Sequence, residues 1–332
     1  MKEALWYKKL RNNIVQCQLC PQYCVIKENE RGICKVRLNQ KGKLYSLVYG
    51  KPSAINVDPI EKKPLFHFYP GSLTYSIGTA GCNLSCLNCQ NWELSQSLPE
   101  QIKHYNLQPK DVVKNAIKEN CKSVAYTYNE PTVYYEYMYD SAKLAKTKGL
   151  KNVFVTNAYI NPEPLQKLCK VIDAASVDLK GFDKRFYKKI CGAKLDPVLN
   201  TLKIMKANKV WIEIVNLIIP GYNDNLDLIE KMCDWIKTNL GQETVLHFSK
   251  FFPMNKMLNI RPTEEKTLLK AKAVAEKAGL KFVYVGNIMK KSNTYCPKCK
   301  ELLIARSLFS VTLNIKNGRC CKCGYKLNGR FP

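Results

Sequence analysis

The sequence predicts an α/β fold of parallel strand–helix units with a cysteine-rich segment on either side. Three observations predict it. From Leu73 onward, short β-prone runs alternate with amphipathic helical stretches, the pattern of consecutive βαβ units. The ligand-like cysteines fall in three groups, at residues 17–34, 82–89 and 296–323, and the first and last groups lie outside that alternation. The span from Leu73 to Met289 is shorter than the ~250 residues of a full eightfold barrel. The expected division is a lead-in over residues 1–72, a core over 73–289 and a tail over 290–332.

In chain order, Ala4 to Asn12 reads as a short helix with Leu5, Trp6 and Leu10 as its apolar stripe. Cys17, Cys20, Cys24 and Cys34 follow in the spacing C-x2-C-x3-C-x9-C, on turns broken by Pro21 and Gly32. Four soft thiolates suit zinc or an iron–sulfur centre, and four ligands close a site, which favours a structural role. Leu44–Tyr49 alternates like a strand, and Lys51–Val57 is an extended, Pro-broken approach to the core. Core strands are expected at Leu73–Ile77, Ser123–Tyr128, Asn152–Thr156, Ala174–Leu179, Val210–Leu217, Thr244–Phe248 and Lys281–Val285. Helices are expected between them, at Pro109–Asn120, Val133–Thr147, Pro162–Cys169, Lys184–Ile190, Pro197–Asn208, Leu226–Leu240 and Thr263–Ala278. In the tail, Cys296-x2-Cys299 and Cys320-x2-Cys323 flank an alternating stretch, Leu302 to Ile315. Two such knuckles on a hairpin make a zinc-ribbon pattern, with Cys321 as the spare thiol.

The first core strand runs into Gly78-Thr-Ala-Gly-Cys82-Asn-Leu-Ser-Cys86-Leu-Asn-Cys89. Three thiolates in C-x3-C-x2-C spacing, with no nearby fourth, leave one iron of a four-iron cube open to a substrate or cofactor. Gly78 and Gly81 permit a tight loop whose backbone N–H groups can face sulfides. A disulfide with a spare thiol is the bland reading, and nothing marks the chain as secreted.

This loop resembles the cluster motif of the radical S-adenosylmethionine (radical SAM) superfamily. Asp58-Pro-Ile-Glu-Lys-Lys-Pro64, His67-Phe-Tyr-Pro-Gly71 and Cys89-Gln-Asn-Trp92 resemble a narrower group, the AmmeMemoRadiSam-system enzymes, relatives of the pyruvate formate-lyase activating enzyme. The resemblance implies a partial (β/α)6 TIM-like barrel, a [4Fe-4S] cluster on Cys82, Cys86 and Cys89, and S-adenosylmethionine as cofactor. It implies one-electron cleavage of that cofactor to a 5′-deoxyadenosyl radical, which takes hydrogen from an acceptor. One departure stands out: members commonly carry an aromatic before the third cysteine, where this chain has Asn88.

The remaining cofactor contacts are expected at strand ends. Asn129 and Glu130, after the second strand, resemble the position of the superfamily's Gly-Gly-Glu element and could accept from the cofactor ammonium. Asp178 and Lys180 share one strand face and match the Asp-x-Lys element of the activating enzymes, which would serve ribose and carboxylate. His247, at a late strand end, is a cofactor candidate or a core histidine; Thr156-Asn157 is a weaker candidate. Cys121, Cys169, Cys191 and Cys233 read as small buried hydrophobes, with Cys191 the one to watch.

The 332-residue chain carries 16 cysteines and a formal charge of +26. The cysteines point to metal or redox chemistry, and the absence of an apolar N-terminal run leads to a cytoplasmic expectation with no membrane span. The charge suits an acidic flavodoxin or ferredoxin as reductant, or nucleic acid, although the lysines are dispersed as on an ordinary solvated surface. The expected acceptors are a glycyl-radical protein or another acceptor of the AmmeMemoRadiSam system. The rival reading is a basic zinc-ribbon module that binds RNA or protein without cleaving S-adenosylmethionine.

Overall fold

The structure, a computed structural model, describes residues 1–288, 291–307 and 310–331. The expected core–tail boundary at 289/290 lies outside the described residues, as do Leu308 and Phe309 of the alternating tail stretch. One eight-stranded sheet forms the core, its strands neighbouring one another in sequence order. They are β1 (Ala54–Pro59), β2 (Leu73–Gly78), β3 (Ser123–Tyr126), β4 (Lys151–Thr156), β5 (Ala174–Asp178), β6 (Trp211–Ile218), β7 (Val245–Lys250) and β8 (Val283–Gly286). Strands β2 to β8 are parallel, and β1 is antiparallel to β2. Segments expected only as lead-in therefore supply an edge strand of the core sheet. Helices α1 (Pro109–Lys118), α2 (Tyr135–Thr147), α3 (Pro162–Cys169), α4 (Leu195–Ala207), α5 (Leu226–Leu240) and α6 (Glu265–Lys277) connect successive parallel strands. Six βα units and a last strand result. The sheet is open, with β1 and β8 as its edges.

The strands are apolar on both faces because helices cover one and a packed interior fills the other. On the helical face, Tyr126, Phe154, Val177, Ile214 and Phe248 are buried against the helices. On the inner face, Ala174, Trp211 and Val245, the first residues of β5, β6 and β7, pack with Leu303, Ile304 and Leu327 of the tail and with Leu65 and Phe68 of the β1–β2 connection. The tail thus forms a floor beneath the strand starts. Arg306 fastens it: it is 5% exposed, donates to the carbonyls of Phe66 (2.6 Å) and Ser292 (3.0 Å), and lies 4.3 Å from the Phe66 ring centre.

Two local expectations are corrected. The helix expected over Ala4–Asn12 is instead two short strands, Lys2–Glu3 and Tyr7–Lys9. Tyr7–Lys9 pairs with Val15–Cys17, which pairs in turn with Val25–Ile26. A nine-residue helix is marginal by itself, and the neighbouring strand satisfies the same backbone groups. The helix expected over Lys184–Ile190 is one α-turn, Lys184–Phe186, followed by a π-turn, Tyr187–Cys191. Among the described residues, no helix is long and apolar enough to cross a membrane.

Candidate active site

The cysteine loop leaves the C-terminal end of β2 and is tied to the chain from several directions. Gly81 holds φ = +90°, and a Cβ there would stand 2.5 Å from the Cys34 carbonyl oxygen, so the loop rests directly on the N-terminal cysteine segment. Ser85 N–H donates to the Cys191 carbonyl (3.1 Å) and Leu87 N–H to the Ile190 carbonyl (2.9 Å), docking the loop on the π-turn. Gly192, at φ = +66°, closes that turn where a Cβ would meet Ser85 Oγ at 2.5 Å. Asn255 Nδ2 donates to the Cys86 carbonyl at 3.3 Å.

Donors already face the sulfurs. Leu84 N–H points at Cys82 Sγ (3.4 Å), and Asn157 Nδ2 lies 3.9 Å from the same atom. Cys89 Sγ is 3.1 Å from Ser95 Oγ. Burial, then the Glu130 charge, pushes the Cys82 thiol well up. The Cys86 thiol is drawn down to about 7, first by a hydrogen bond from Cys191 and, against burial, by the Lys180 charge. Asn88 is 8% exposed and its Oδ1 has no hydrogen-bond partner. Three thiols on one loop, N–H groups turned toward them and an unpartnered buried amide oxygen beside them fit an iron–sulfur cluster with a polar cofactor at its side.

The sequence-predicted residues do not all face that space. Lys180 does: its Nζ is 2.9 Å from Asp178 Oδ2. Burial lowers its pKa, but Asp178, Cys86 and Cys191 around it outweigh that and hold it well above the ordinary lysine value. Asp178, Lys180, Cys86 and Cys191 are thereby brought together. Asn157, the weaker candidate, joins them through Cys82 and through Asn83 Oδ1, to which its Nδ2 donates at 3.0 Å.

Glu130 is held by its own neighbours. It is 2% exposed; its Oε1 accepts from Thr132 N–H (3.0 Å), Thr132 Oγ1 (2.6 Å) and Thr156 Oγ1 (2.8 Å), and its Oε2 from Asn157 N–H (2.7 Å). Those four donors tie Glu130 to Thr132, Thr156 and Asn157, so it locks the ends of β3 and β4 together. Burial raises its pKa. Asn129 is spent in the same way. Its Nδ2 donates to the Gly81 carbonyl (2.7 Å) and its Oδ1 accepts from Thr79 N–H (3.1 Å), so it clamps the cysteine loop's backbone.

His247 takes the position of a core histidine. It is 3% exposed, its Nε2 is 2.8 Å from Glu213 Oε2, and its ring packs on Phe66 and Tyr284. Glu213 is the centre of a buried polar layer that the sequence reading missed. Its Oε2 also accepts from Phe66 N–H (2.8 Å), and its Oε1 accepts from His67 N–H (2.7 Å) and Trp211 Nε1 (3.0 Å). A lone carboxylate inside the apolar run Trp211-Ile-Glu213-Ile-Val215 was the available signal. Through His67, whose Nδ1 lies 2.9 Å from the Asn328 carbonyl oxygen, this layer joins the core to the floor.

In the tail, Cys296, Cys299, Cys320 and Cys323 place their ligand atoms within 4.8 Å of one another, with Cys296–Cys323 and Cys299–Cys320 sulfurs both 3.6 Å apart. Four sulfurs at ~2.3 Å from one zinc would stand about this far apart. Cys321 is exposed and outside the group.

Residues 76–236 match the radical SAM superfamily. An uncharacterized protein of Methanocaldococcus jannaschii is 46% identical over 333 residues, covering 99% of each chain. The 4-hydroxyphenylacetate decarboxylase activating enzyme of Clostridium scatologenes is 22% identical over 173 residues, 49% of this chain and 54% of that protein. Among solved structures, a radical SAM methyltransferase from Sphaerobacter thermophilus aligns with a TM-score of 0.53 at 12% identity, over 66% of this chain and 67% of that one, a likeness of fold. The chain carries a radical SAM domain over residues 76–236. The family implies a [4Fe-4S] cluster and S-adenosylmethionine.

Proposed function

We propose that this chain cleaves S-adenosylmethionine reductively and uses the resulting 5′-deoxyadenosyl radical to take hydrogen from an acceptor. Cys82, Cys86 and Cys89 would hold the cluster, which when bound supplies the electron for that cleavage and an open iron for the cofactor's amino acid end. The observation that carries the reading is the docking of this three-thiol loop at the parallel strands' C-terminal ends, with Lys180 beside Cys86. Lys180 attracts the cofactor carboxylate; Asp178 orients that ammonium and offers an acceptor for ribose hydroxyls. Asn88 Oδ1 accepts from the adenine amino group in place of the stacking an aromatic would give. Asn129, Glu130 and Asn157 hold the loop in shape.

The name of the C. scatologenes relative supports an activating-enzyme role, with a protein as acceptor and an external reductant. An acidic flavodoxin or ferredoxin suits the +26 charge. The tail quartet would hold one zinc as a structural ion. The test is anaerobic reconstitution with iron and sulfide, reduction by dithionite, addition of S-adenosylmethionine and chromatographic detection of 5′-deoxyadenosine. A fully loaded, reduced protein that yields none would overturn the reading.

A further inference from the structure

The N-terminal quartet Cys17, Cys20, Cys24 and Cys34 is not part of the site just described, yet its four residues line a single cavity. The hairpin of Val15–Cys17 and Val25–Ile26 folds them together, with Cys17 N–H donating to the Cys24 carbonyl at 2.9 Å. Cys17 and Cys34 are buried, while Cys20 and Cys24 are half-buried.

The spacing of the sulfurs separates two kinds of metal site. In the tail, all four ligand atoms lie within 4.8 Å of one another, as ligands of a single ion must. Among the described residues, no three of the N-terminal quartet meet that spacing, and no hydrogen-bond contact joins any two of their sulfurs. Cys82, Cys86 and Cys89, the family's cluster ligands, likewise fail to draw in to it. Thiolates that bind different irons of a cube are held apart by the iron–sulfide core. Among the described residues, neither the quartet nor the triad has the tight spacing of the tail.

A second observation concerns the cavity wall. Arg37 lines it and is 1% exposed. Its two terminal nitrogens bind Glu136, at 3.2 Å and 2.8 Å, but its Nε is buried with no partner. Buried N–H groups are almost always paired, and sulfide or thiolate of a cluster would be an acceptor for this one. Asn83, next to Cys82, is also on the wall, and Gln22 Nε2 donates to its carbonyl at 2.9 Å. The cavity and the cysteine loop of the active site are thus in direct contact.

We propose that Cys17, Cys20, Cys24 and Cys34 hold a second four-iron iron–sulfur cluster, and not zinc, packed against the loop that carries Cys82. The test removes the active-site cluster so that the two readings fail separately. A chain with Cys82, Cys86 and Cys89 all changed to Ala is reconstituted anaerobically with iron and sulfide, and its iron, sulfide and zinc are counted. The expected result is about four irons and four sulfides per chain, with about one zinc from the tail. Little or no iron together with about two zincs overturns the proposal, as does about two irons with two sulfides. Should the triple variant not fold by circular dichroism, the wild-type chain is compared with Cys17→Ser and Cys34→Ser. Iron falling from about eight to about four with zinc unchanged supports the second cube. Iron unchanged, or a loss of one zinc instead, overturns it.

Discussion

Glu213→Ala should be among the most damaging substitutions in the core although Glu213 touches no proposed cofactor contact. The side chain is fully buried and each oxygen accepts two hydrogen bonds: Oε1 from His67 N–H and Trp211 Nε1, Oε2 from Phe66 N–H and His247 Nε2. Alanine leaves all four partners without an acceptor, and each buried orphan costs about 1–3 kcal/mol. His247 can take its other tautomer and relieve one, so three orphans remain, and a loss of at least 3 kcal/mol is expected. Glu213→Gln is the graded control. Its amide oxygen serves one pair of donors, its amino group can donate to a retautomerised His247, and only one backbone N–H is left unpaired, for about 1–3 kcal/mol. Urea titration under anaerobic conditions, followed by tryptophan fluorescence, reads both changes in the midpoint at constant slope. The active-site loop is anchored by other residues, so iron content per folded chain should match wild type. An alanine variant within 1 kcal/mol of wild type, or one no worse than the glutamine variant, would refute the argument that this layer joins core and floor.

Cys82→Ala, Cys86→Ala and Cys89→Ala should each abolish the active-site cluster and 5′-deoxyadenosine formation, because two thiolates cannot hold a cube that already lacks a protein ligand; normal cleavage by any one of them would undo the ligand assignment. Lys180→Ala should retain wild-type iron and visible spectrum but bind S-adenosylmethionine more weakly by about 2–5 kcal/mol, the scale for losing one member of a desolvated charge pair, as measured by anaerobic equilibrium titration. Acid should destabilise the protein between about pH 6.5 and 4. Burial holds His67 down at about 4, so the unfolded chain takes up its proton first and stability drains as pH falls through that window. Glu213, lowered by His247 and His67 despite burial, acts in the same direction, since the carboxylate stability present above its unfolded value is lost on acidification. A urea midpoint that is flat from pH 7 to 4.5 would contradict the His67 assignment, and one that does not fall further below pH 4.5 would contradict that of Glu213.

The seven parallel strands and the long helices were legible because their periodicities are local. The strand run Ala174-Ala-Ser-Val-Asp178 and the helix Leu226–Leu240 carry their patterns in their own residues. The first residues were misread for the opposite reason: Lys2–Glu3 and Tyr7–Lys9 are strands because of their partners, Tyr45–Ser46 and Val15–Cys17, which no local window contains. At the site, spacing singled out the thiol loop and put Asp178 and Lys180 on one strand face, and the structure pairs those two side chains at 2.9 Å. It could not tell whether a strand-end side chain faces the lumen or a neighbouring loop. Asn129 and Glu130 stand at the expected strand end, yet their hydrogen bonds go to Thr79, Gly81, Thr132, Thr156 and Asn157. His247 was readable as a histidine near a strand end, but its partner Glu213 is 34 residues away in sequence.

The tail beneath the strand starts makes the core a cup and not a tube. A polypeptide acceptor cannot be threaded through it, because Leu303, Ile304 and Leu327 occupy the exit. If the proposed acceptor is a polypeptide, the segment that reacts above β5 cannot pass on through the strand starts and has to leave on the side from which it entered. A loop or a free terminus can do this, whereas a residue in the middle of a rigid helix or strand would first have to be unwound from its own fold.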